Sequence, residues 1–179
     1  MLVREAHEAD LPAILAIYNE VIRNSTAIYA LDEVALEERE AWFRTRRTSG
    51  YPVLVAESAG TVAGFASFGT WRGPSAGYRY SVEHSVHVRA DVRGQGIGAA
   101  LVGALIPYAR RQAVHVMVGG IDASNHGSIR FHERLGFEAV AHFREVGRKF
   151  DRWLDLVFMQ RLIDDPGAAR PLISTGEPS

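Results

Sequence analysis

The chain has 179 residues, of which 47% are apolar and 23% are charged, and its formal net charge at pH 7 is −1. This length suits one domain with a single hydrophobic core, and the balanced charge gives no reason to expect a nucleic-acid partner. The chain has no cysteine, which excludes disulfides, thiolate metal sites and a cysteine nucleophile and fits a cytoplasmic location. We expect neither a membrane span nor a secretory signal, because no apolar segment has the required length or position.

The first part of the chain predicts a strand, two helices and a pair of antiparallel strands. Val3 lies in the short first strand, and Asp10 is a suitable N-cap for a helix that ends near Asn24. A second helix is predicted over about residues 35–47. Strands follow over residues 52–56 and 61–68, joined by a turn.

A loop over residues 69–77, rich in glycine, separates these elements from the second part of the chain. Pro107 lies inside the helix that follows the next strand, where a proline commonly kinks a helix, and Gly136 is the expected left-handed stop of a later helix. The elements predicted here are a strand over 81–88, a helix through Ala109, a strand over 114–121, a helix over 128–135, and strands over 137–143 and 153–159.

This order of elements predicts an α/β (α+β) fold with a mixed sheet and helices on both of its faces. We expect one domain over residues 1–163. Residues 164–179 are rich in Pro, Gly, Ala and Ser, which is typical of a flexible C-terminal tail.

The segment from Arg93 to Gly98 reads Arg-Gly-Gln-Gly-Ile-Gly and lies between an apolar strand and an apolar helix. Glycines allow close approach of backbone N–H groups to a ligand, and a helix N-terminus favours an anion such as a pyrophosphate. A strand-to-helix turn without a ligand is an equally good interpretation of the segment alone. Ala99 and Ala100 follow where a P-loop needs Lys and Ser/Thr, and the G-x-G-x-G spacing differs from the dinucleotide fingerprint.

The region from Ser85 to Gly98 resembles the acetyl-CoA signature of the GNAT acetyltransferase superfamily, whose Arg/Gln-x-x-Gly-x-Gly/Ala core is matched by Arg93, Gly96 and Gly98. The resemblance extends from about Val3 to Leu162. It implies a GNAT-type, mostly antiparallel central sheet of about six or seven strands. The longer series is similar to the phosphinothricin and methionine sulfoximine N-acetyltransferase subfamily and includes Ile17-Tyr18-Asn19-Glu20, Trp71-Arg72, Val82-Glu83-His84-Ser85-Val86, Leu135-Gly136-Phe137 and Arg152-Trp153-Leu154-Asp155.

The resemblance implies acetyl-CoA as the cosubstrate and no metal. In the family, the fourth strand pairs with pantetheine and the glycine loop holds the pyrophosphate. His87 departs from the pattern, because family members usually have Tyr there. The cofactor-binding residues implied by position are Val86, His87, Val88, Arg93, Gly94, Gln95, Gly96, Ile97, Gly98, Ala99, Asn125 and Arg134.

The resemblance also implies a small amino acid as the acetyl acceptor, such as phosphinothricin, methionine sulfoximine or methionine sulfone. Arg72 is expected to bind its α-carboxylate, since a guanidinium matches a carboxylate with two parallel bonds. A homodimer is implied as well. The substrate-binding residues carried over by position are Arg72, Gly73, Pro74, Glu83, His84 and Ser85.

Acetyl transfer needs a neutral amine beside a polarised thioester. Glu83 is the predicted general base, because it interrupts an otherwise apolar strand next to the implied thioester site; a glutamate paired with an arginine is the alternative. Backbone N–H groups near Val86 are expected to polarise the carbonyl. His132 is a second catalytic candidate, although a helical histidine of this kind is more often packed in the core.

Other polar groups receive structural interpretations. We interpret the cluster Arg44, Arg46 and Arg47 as a solvated helix face, with a CoA phosphate as a weaker alternative. His84 and His87 are three residues apart, so a strand places them on opposite faces. Two other functions remain open: acetylation of protein N-termini or lysines, and acyl-CoA binding without catalysis.

Overall fold

Seven strands form a single sheet in the order β1-β2-β3-β4-β5-β7-β6, as seen in a computed structural model that describes residues 1–73 and 75–163. The strands are β1 (Leu2–Glu5), β2 (Val53–Ser58), β3 (Thr61–Thr70), β4 (Ser81–Val88), β5 (Val116–Asp122), β6 (Glu138–Lys149) and β7 (Arg152–Leu162), and the helices are α1 (Leu11–Asn24), α2 (Leu36–Thr48), α3 (Ile97–Arg111) and α4 (His126–Arg134). This confirms the predicted mixed, mostly antiparallel sheet. The tail predicted over residues 164–179 lies outside the described residues.

Helices cover both faces of the sheet because β2 and β3 are apolar on both sides. Leu54 and Ala56 belong to the larger core cluster under α3, whereas Val53 and Val55 belong to the cluster formed with α1 and α2. Side chains of a strand alternate between its two faces, so the same apolar run supplies both layers. The rigid centre of the sheet thereby fixes the position of β4.

Two local predictions need correction. Asp10 occupies the N-cap position of α1, but its buried carboxylate does not cap that helix; it accepts hydrogen bonds from Arg4 (2.7 and 2.9 Å) and from the His7 backbone (2.9 Å). Pro107 lies inside α3 as predicted, and the helix continues to Arg111. The last two strands are longer than predicted, since β6 and β7 form a hairpin that extends past the rest of the sheet. The left-handed conformation predicted for Gly136 is confirmed, with φ of +80°.

The one parallel pair among the described strands creates the opening in which the site lies. β4 and β5 pair only from Ser81 to Glu83, opposite Val116 to Val118. β4 continues to Val88, while its other edge stays paired with β3. Beyond Glu83 the edge of β4 that faces β5 therefore has no neighbouring strand, and its backbone N–H and C=O groups can bind a ligand.

Candidate active site

Two cavities meet where β4 and β5 separate. One is a groove of about 830 Å³ between the glycine loop and α4, and the other is a pocket of about 470 Å³ under α2. We call them the loop groove and the α2 pocket. Both volumes are in the range of small-molecule sites. The residues lining both cavities are Ala27, Val86, His87, Asn125 and Ser128, so a ligand in the loop groove can reach the α2 pocket through the gap between the strands.

The glycine loop forms one wall of the loop groove. Gly94 and Gly96 both have φ of +79°, a conformation that residues with a Cβ atom rarely adopt. Gly96 is the N-cap of α3, so the first N–H groups of this helix lack intrahelical acceptors. Gln95 is exposed, and it is absent from the residues described as lining the groove. The other predicted cofactor residues do line it: Val86, His87, Val88, Arg93, Gly94, Gly96, Ile97, Gly98, Ala99, Asn125 and Arg134.

Two of these side chains have local hydrogen-bond partners, and a third lies at the rim of the groove. Arg93 donates from Nε to the Val88 carbonyl (3.0 Å), which fixes the loop against the end of β4. The Asn125 side chain accepts from the Ser128 backbone (3.0 Å) and caps α4. Arg134, at the end of α4, is exposed beside the groove. A positive charge at the rim suits a phosphorylated ligand.

Glu83 projects into the α2 pocket from the last paired position of β4. A Cβ atom at Gly120 of β5 would lie 3.4 Å from Glu83 Oε1, so the glycine leaves room for the carboxylate. Burial raises the pKa of Glu83, and the nearby positive charge of Arg46 partly opposes that rise. A carboxylate with a raised pKa is a stronger base than a glutamate with the ordinary pKa.

His84 and His132 face the opposite side of β4 and are both buried. Their ring centroids are 5.2 Å apart. Nδ1 of His132 lies 2.8 Å from the Ser128 carbonyl, which identifies it as the protonated nitrogen. Its Nε2 is then unprotonated, and a Cβ at Gly119 would lie 3.6 Å from it and 3.0 Å from His84 Nε2. Both ring nitrogens of His84 lack a hydrogen-bond partner among the described residues.

Burial keeps these imidazoles neutral. Desolvation lowers the pKa of His84 to about 3, with smaller contributions from His132 and His87. Desolvation also lowers the pKa of His132, although the hydrogen bond to Ser128 opposes this. His87, on the face of Glu83, has its pKa lowered to about 4 by desolvation, then by Arg39 and Arg93. The predicted placement of His84 and His87 on opposite faces is confirmed, since His87 contacts Tyr18 and Phe65 instead.

The interpretation of the α2 arginines as a solvated face is wrong for Arg46. Arg44 and Arg47 are exposed, whereas Arg46 is half-buried and lines the α2 pocket together with the buried Arg39. Sequence spacing contained the signal: Arg39, Trp42, Phe43 and Arg46 stand at i, i+3, i+4 and i+7, the inward stripe of a helix. Two arginines on the inward face of a helix indicate that their guanidinium groups point into a polar pocket.

Two further features of the pocket were not predicted. Gly119 and Gly120 lie inside β5, and their missing side chains make room for the histidines on one face and Glu83 on the other. Glycines inside a strand often mark such a close approach. Asp122 is buried in the same lining, where it accepts hydrogen bonds from the Thr26 hydroxyl and the Ser124 backbone.

The predicted substrate residues are only partly brought together. Glu83, His84 and Ser85 line the α2 pocket. Arg72 and Gly73 lie in the exposed turn after β3 and are absent from the described lining of either cavity; Pro74 lies outside the described residues. The carboxylate-binding role of Arg72 stays a prediction.

Among residues 1–73 and 75–163, no group of three or more His, Cys, Asp or Glu side chains is arranged to hold a metal ion. None of the helices described there has the length and apolar character needed to cross a membrane.

A gap between parallel strands, a glycine loop at a helix N-terminus and a carboxylate in the adjoining pocket are the features expected of a GNAT-type acyltransferase. The sequence profile of the acetyltransferase (GNAT) family matches residues 14–137. The chain is 53% identical over 168 residues to the L-methionine sulfoximine/L-methionine sulfone acetyltransferase of Pseudomonas aeruginosa, which covers 93% of this chain and 97% of that protein. It is 36% identical to the phosphinothricin N-acetyltransferase of Alcaligenes faecalis, over 89% of this chain and 81% of that protein.

Solved structures agree. A putative acetyltransferase of Salmonella typhimurium, solved with its cofactor acetyl-CoA, superimposes with a TM-score of 0.89 at 47% identity, covering 96% of this chain and 98% of that one. A ribosomal-protein-alanine N-acetyltransferase of Brucella melitensis gives 0.88 at 49% identity, covering 90% and 99%. The chain belongs to the GNAT acetyltransferase family, and the predicted family and fold are confirmed.

Proposed function

We propose that this chain transfers the acetyl group of acetyl-CoA to the α-amino group of a small amino acid of the methionine sulfoximine, methionine sulfone or phosphinothricin type. The observation that carries the proposal is the meeting of the loop groove and the α2 pocket at Val86 and His87 of β4, with Glu83 of the same strand lining the α2 pocket. The names of the two relatives support the acceptor class. A pocket of about 470 Å³ also suits one amino acid.

The residues of the loop groove fit acetyl-CoA. Bare N–H groups after Gly96, the guanidinium of Arg134 and the unpaired edge of β4 offer donors for a diphosphate and an extended amide chain. Acetyl-CoA, when bound, supplies the activated acyl group as a thioester. The chain's own contribution is to hold that ligand against Val86 and to exclude water from the gap.

Glu83 acts as the general base, directly or through a water. The α-ammonium group loses a proton to the carboxylate, and the free amine forms the new N–C bond as the C–S bond breaks and its electron pair passes to sulfur. The second proton of the amine passes to the thiolate, so that the products are the amide and the free thiol. The raised pKa of Glu83 matches this task, because a base works best when its pKa approaches the working pH. Unpaired N–H groups of β4 near Val86 stabilise the charge that develops on the carbonyl oxygen.

His132 is proposed as a second catalytic group. Its neutral Nε2 is an acceptor directed toward Gly119 in the pocket lining. It is therefore suited to accepting a hydrogen bond from a water in the gap and orienting it, rather than to donating a proton. An imidazole with a lowered pKa remains in this form at neutral pH.

The test is an amino-acid panel with acetyl-CoA and detection of the released thiol, run with Glu83→Gln. Glu83→Gln should lower kcat/KM by about 10²–10⁴-fold, the usual contribution of a general base, and should remove the acidic limb of the pH profile. Glu133→Gln, at an exposed position of α4, is the matched control. No turnover with any amino acid of the panel would refute the proposed function, and an unchanged pH profile in Glu83→Gln would refute the base assignment.

A protein N-terminus is the second candidate acceptor, because the Brucella melitensis structure at 49% identity carries that activity in its name. A peptide must leave the pocket through an open groove, whereas a free amino acid fits inside it. Competition between an alanine-initiated peptide and methionine sulfone separates the two acceptors. Acyl-CoA binding without catalysis is the result if CoA binds and no amine of either kind is acetylated.

We also propose a cytoplasmic homodimer that associates through the β6–β7 hairpin. Large apolar side chains are exposed there, among them Phe143 (47%), Val146 (52%) and Trp153 (61%). Clustered apolar exposure of this kind is typical of an interface. Trp153→Arg should convert a dimer to a monomer in light scattering after gel filtration, and a monomeric wild-type chain would refute the proposal.

A further inference from the structure

The α2 pocket contains two arginines that have no acidic partner. Arg39 is 6% exposed and Arg46 is half-buried, and both line the pocket. Among the described residues, neither guanidinium has a carboxylate within 4.0 Å, although many surface arginines of the chain form such ion pairs. The Nε atoms of both arginines are buried and lack a hydrogen-bond partner within the same residues.

Two positive charges share the α2 pocket. Desolvation lowers the pKa of Arg39 and of Arg46, and the charge of Arg39 lowers the pKa of Arg46 further. Buried charges in proteins are normally paired with a counter-ion, so an arginine without one calls for a compensating group. The carboxylate of Glu83 is the acidic group that acts on Arg46, and it is the proposed base.

Ring stacking compensates the two cations unequally. The Arg39 guanidinium carbon lies 3.7 Å from the centre of the Tyr18 ring and 4.7 Å from that of Trp42, which is close enough for a strong cation–π contact. The Arg46 guanidinium carbon lies 6.0 Å from the Trp42 ring, at the limit of such contacts. Arg46 packs instead on Gly69 of β3, where any side chain would collide with it. The fold thus leaves space for the guanidinium beside Glu83, which pairs with Gly69 across the sheet.

We propose that Arg46, supported by the positive charge of Arg39, binds the α-carboxylate of the acetyl acceptor. The inference rests on the proposed function. Sulfone and sulfoximine groups carry no full negative charge, so the α-carboxylate is the anion that methionine sulfone, methionine sulfoximine and phosphinothricin share. Amine and carboxylate are bonded to the same carbon, which matches a base and a cation that are neighbours in one pocket. Arg46 then takes the role that the sequence assigned to Arg72.

The experiment compares methionine sulfone with its α-carboxamide in the wild type and in Arg46→Gln. The wild type should prefer the acid by about 30-fold or more in kcat/KM, because losing one partner of a buried charged pair costs about 2–5 kcal/mol. Arg46→Gln should lower kcat/KM for the acid by a similar factor and leave the carboxamide within about 3-fold, so that the preference disappears. If the role of Arg46 were purely structural, Arg46→Gln would lower kcat/KM equally for the acid and for the carboxamide.

Two other arginines provide the comparison. Arg44→Gln, at an exposed position of the same helix, is the matched control and should keep the preference for the acid. Arg72→Gln tests the rival assignment. The proposal is overturned if Arg72→Gln, and not Arg46→Gln, removes the preference for the acid. It is also overturned if Arg46→Gln lowers kcat/KM equally for both substrates, or if the wild type turns over acid and carboxamide equally well.

Controls for folding and for the proposed function keep these outcomes distinct. Thermal unfolding and CoA binding should match the wild type in Arg46→Gln; if that variant does not fold, Arg46→Lys replaces it and should weaken the preference by losing the bidentate contact. Failure of the wild type to acetylate any amino acid would refute the proposed function. Turnover of the panel without a preference for a free carboxylate would refute only the role of Arg46.

Discussion

The buried, neutral His84 predicts an acid-sensitive fold. The imidazole has a pKa of about 6.5 when exposed and about 3 in the folded chain. The folded pKa is lowered, so this stabilisation is complete above pH 6.5 and is lost as the pH falls toward the folded pKa, since only the unfolded chain takes up the proton. At pH 5, a pKa change from about 6.5 to about 3 corresponds to about 2 kcal/mol of lost unfolding free energy relative to pH 8.

The assay is urea unfolding of the wild type and His84→Leu at several pH values between 8 and 5. The variant cannot take up that proton, so its stability should fall by about 2 kcal/mol less than that of the wild type over this interval. His126→Leu, which removes an exposed imidazole from α4, controls for the loss of a histidine. Parallel curves for the wild type and His84→Leu would show that the buried ring takes up a proton in the folded state and would refute the reasoning.

Three glycine substitutions give further predictions. Gly96→Ala should weaken acetyl-CoA binding in calorimetry and lower the unfolding free energy by about 1 kcal/mol, because its φ of +79° is unfavourable for alanine. Gly69→Ala should raise the KM for the amino acid with little change in Tm, because the methyl group displaces the flexible end of Arg46. Gly64→Ala should lower the unfolding free energy by about 1–3 kcal/mol, because its methyl group would lie 2.8 Å from the carbonyl oxygen of His87.

Each glycine prediction has a contrary outcome. Unchanged acetyl-CoA affinity in Gly96→Ala would show that the loop backbone does not approach the ligand. An unchanged KM in Gly69→Ala would mean that Arg46 does not contact the substrate. A stable Gly64→Ala would show that β3 and β4 adjust to the methyl group at low cost. Gly103→Ala, with open space at its Cβ, is a suitable control for all three.

The order of elements and the ligand loop followed from local sequence. Strand and helix periods identified the seven strands and four α-helices of the described residues. The spacing of Arg93, Gly96 and Gly98 identified the candidate phosphate-binding loop, because such loops are built from consecutive residues. Errors arose where pairing between elements decides the outcome. The carboxylate of Asp10 pairs with Arg4 of β1. Strands β6 and β7 are longer than predicted because they pair with each other.

The amino-acid sequence by itself determined the family, the fold and the candidate base Glu83. Only the tertiary structure decided which side chains share the pocket with that base. Arg39 and Arg46 of α2 point into the pocket, and β4 separates from β5 beyond Glu83. Gly119 and Gly120 lie where the histidines and the carboxylate need room. The physical reason is that local spacing fixes the face of a helix or strand, whereas the neighbour of that face depends on how distant elements pack.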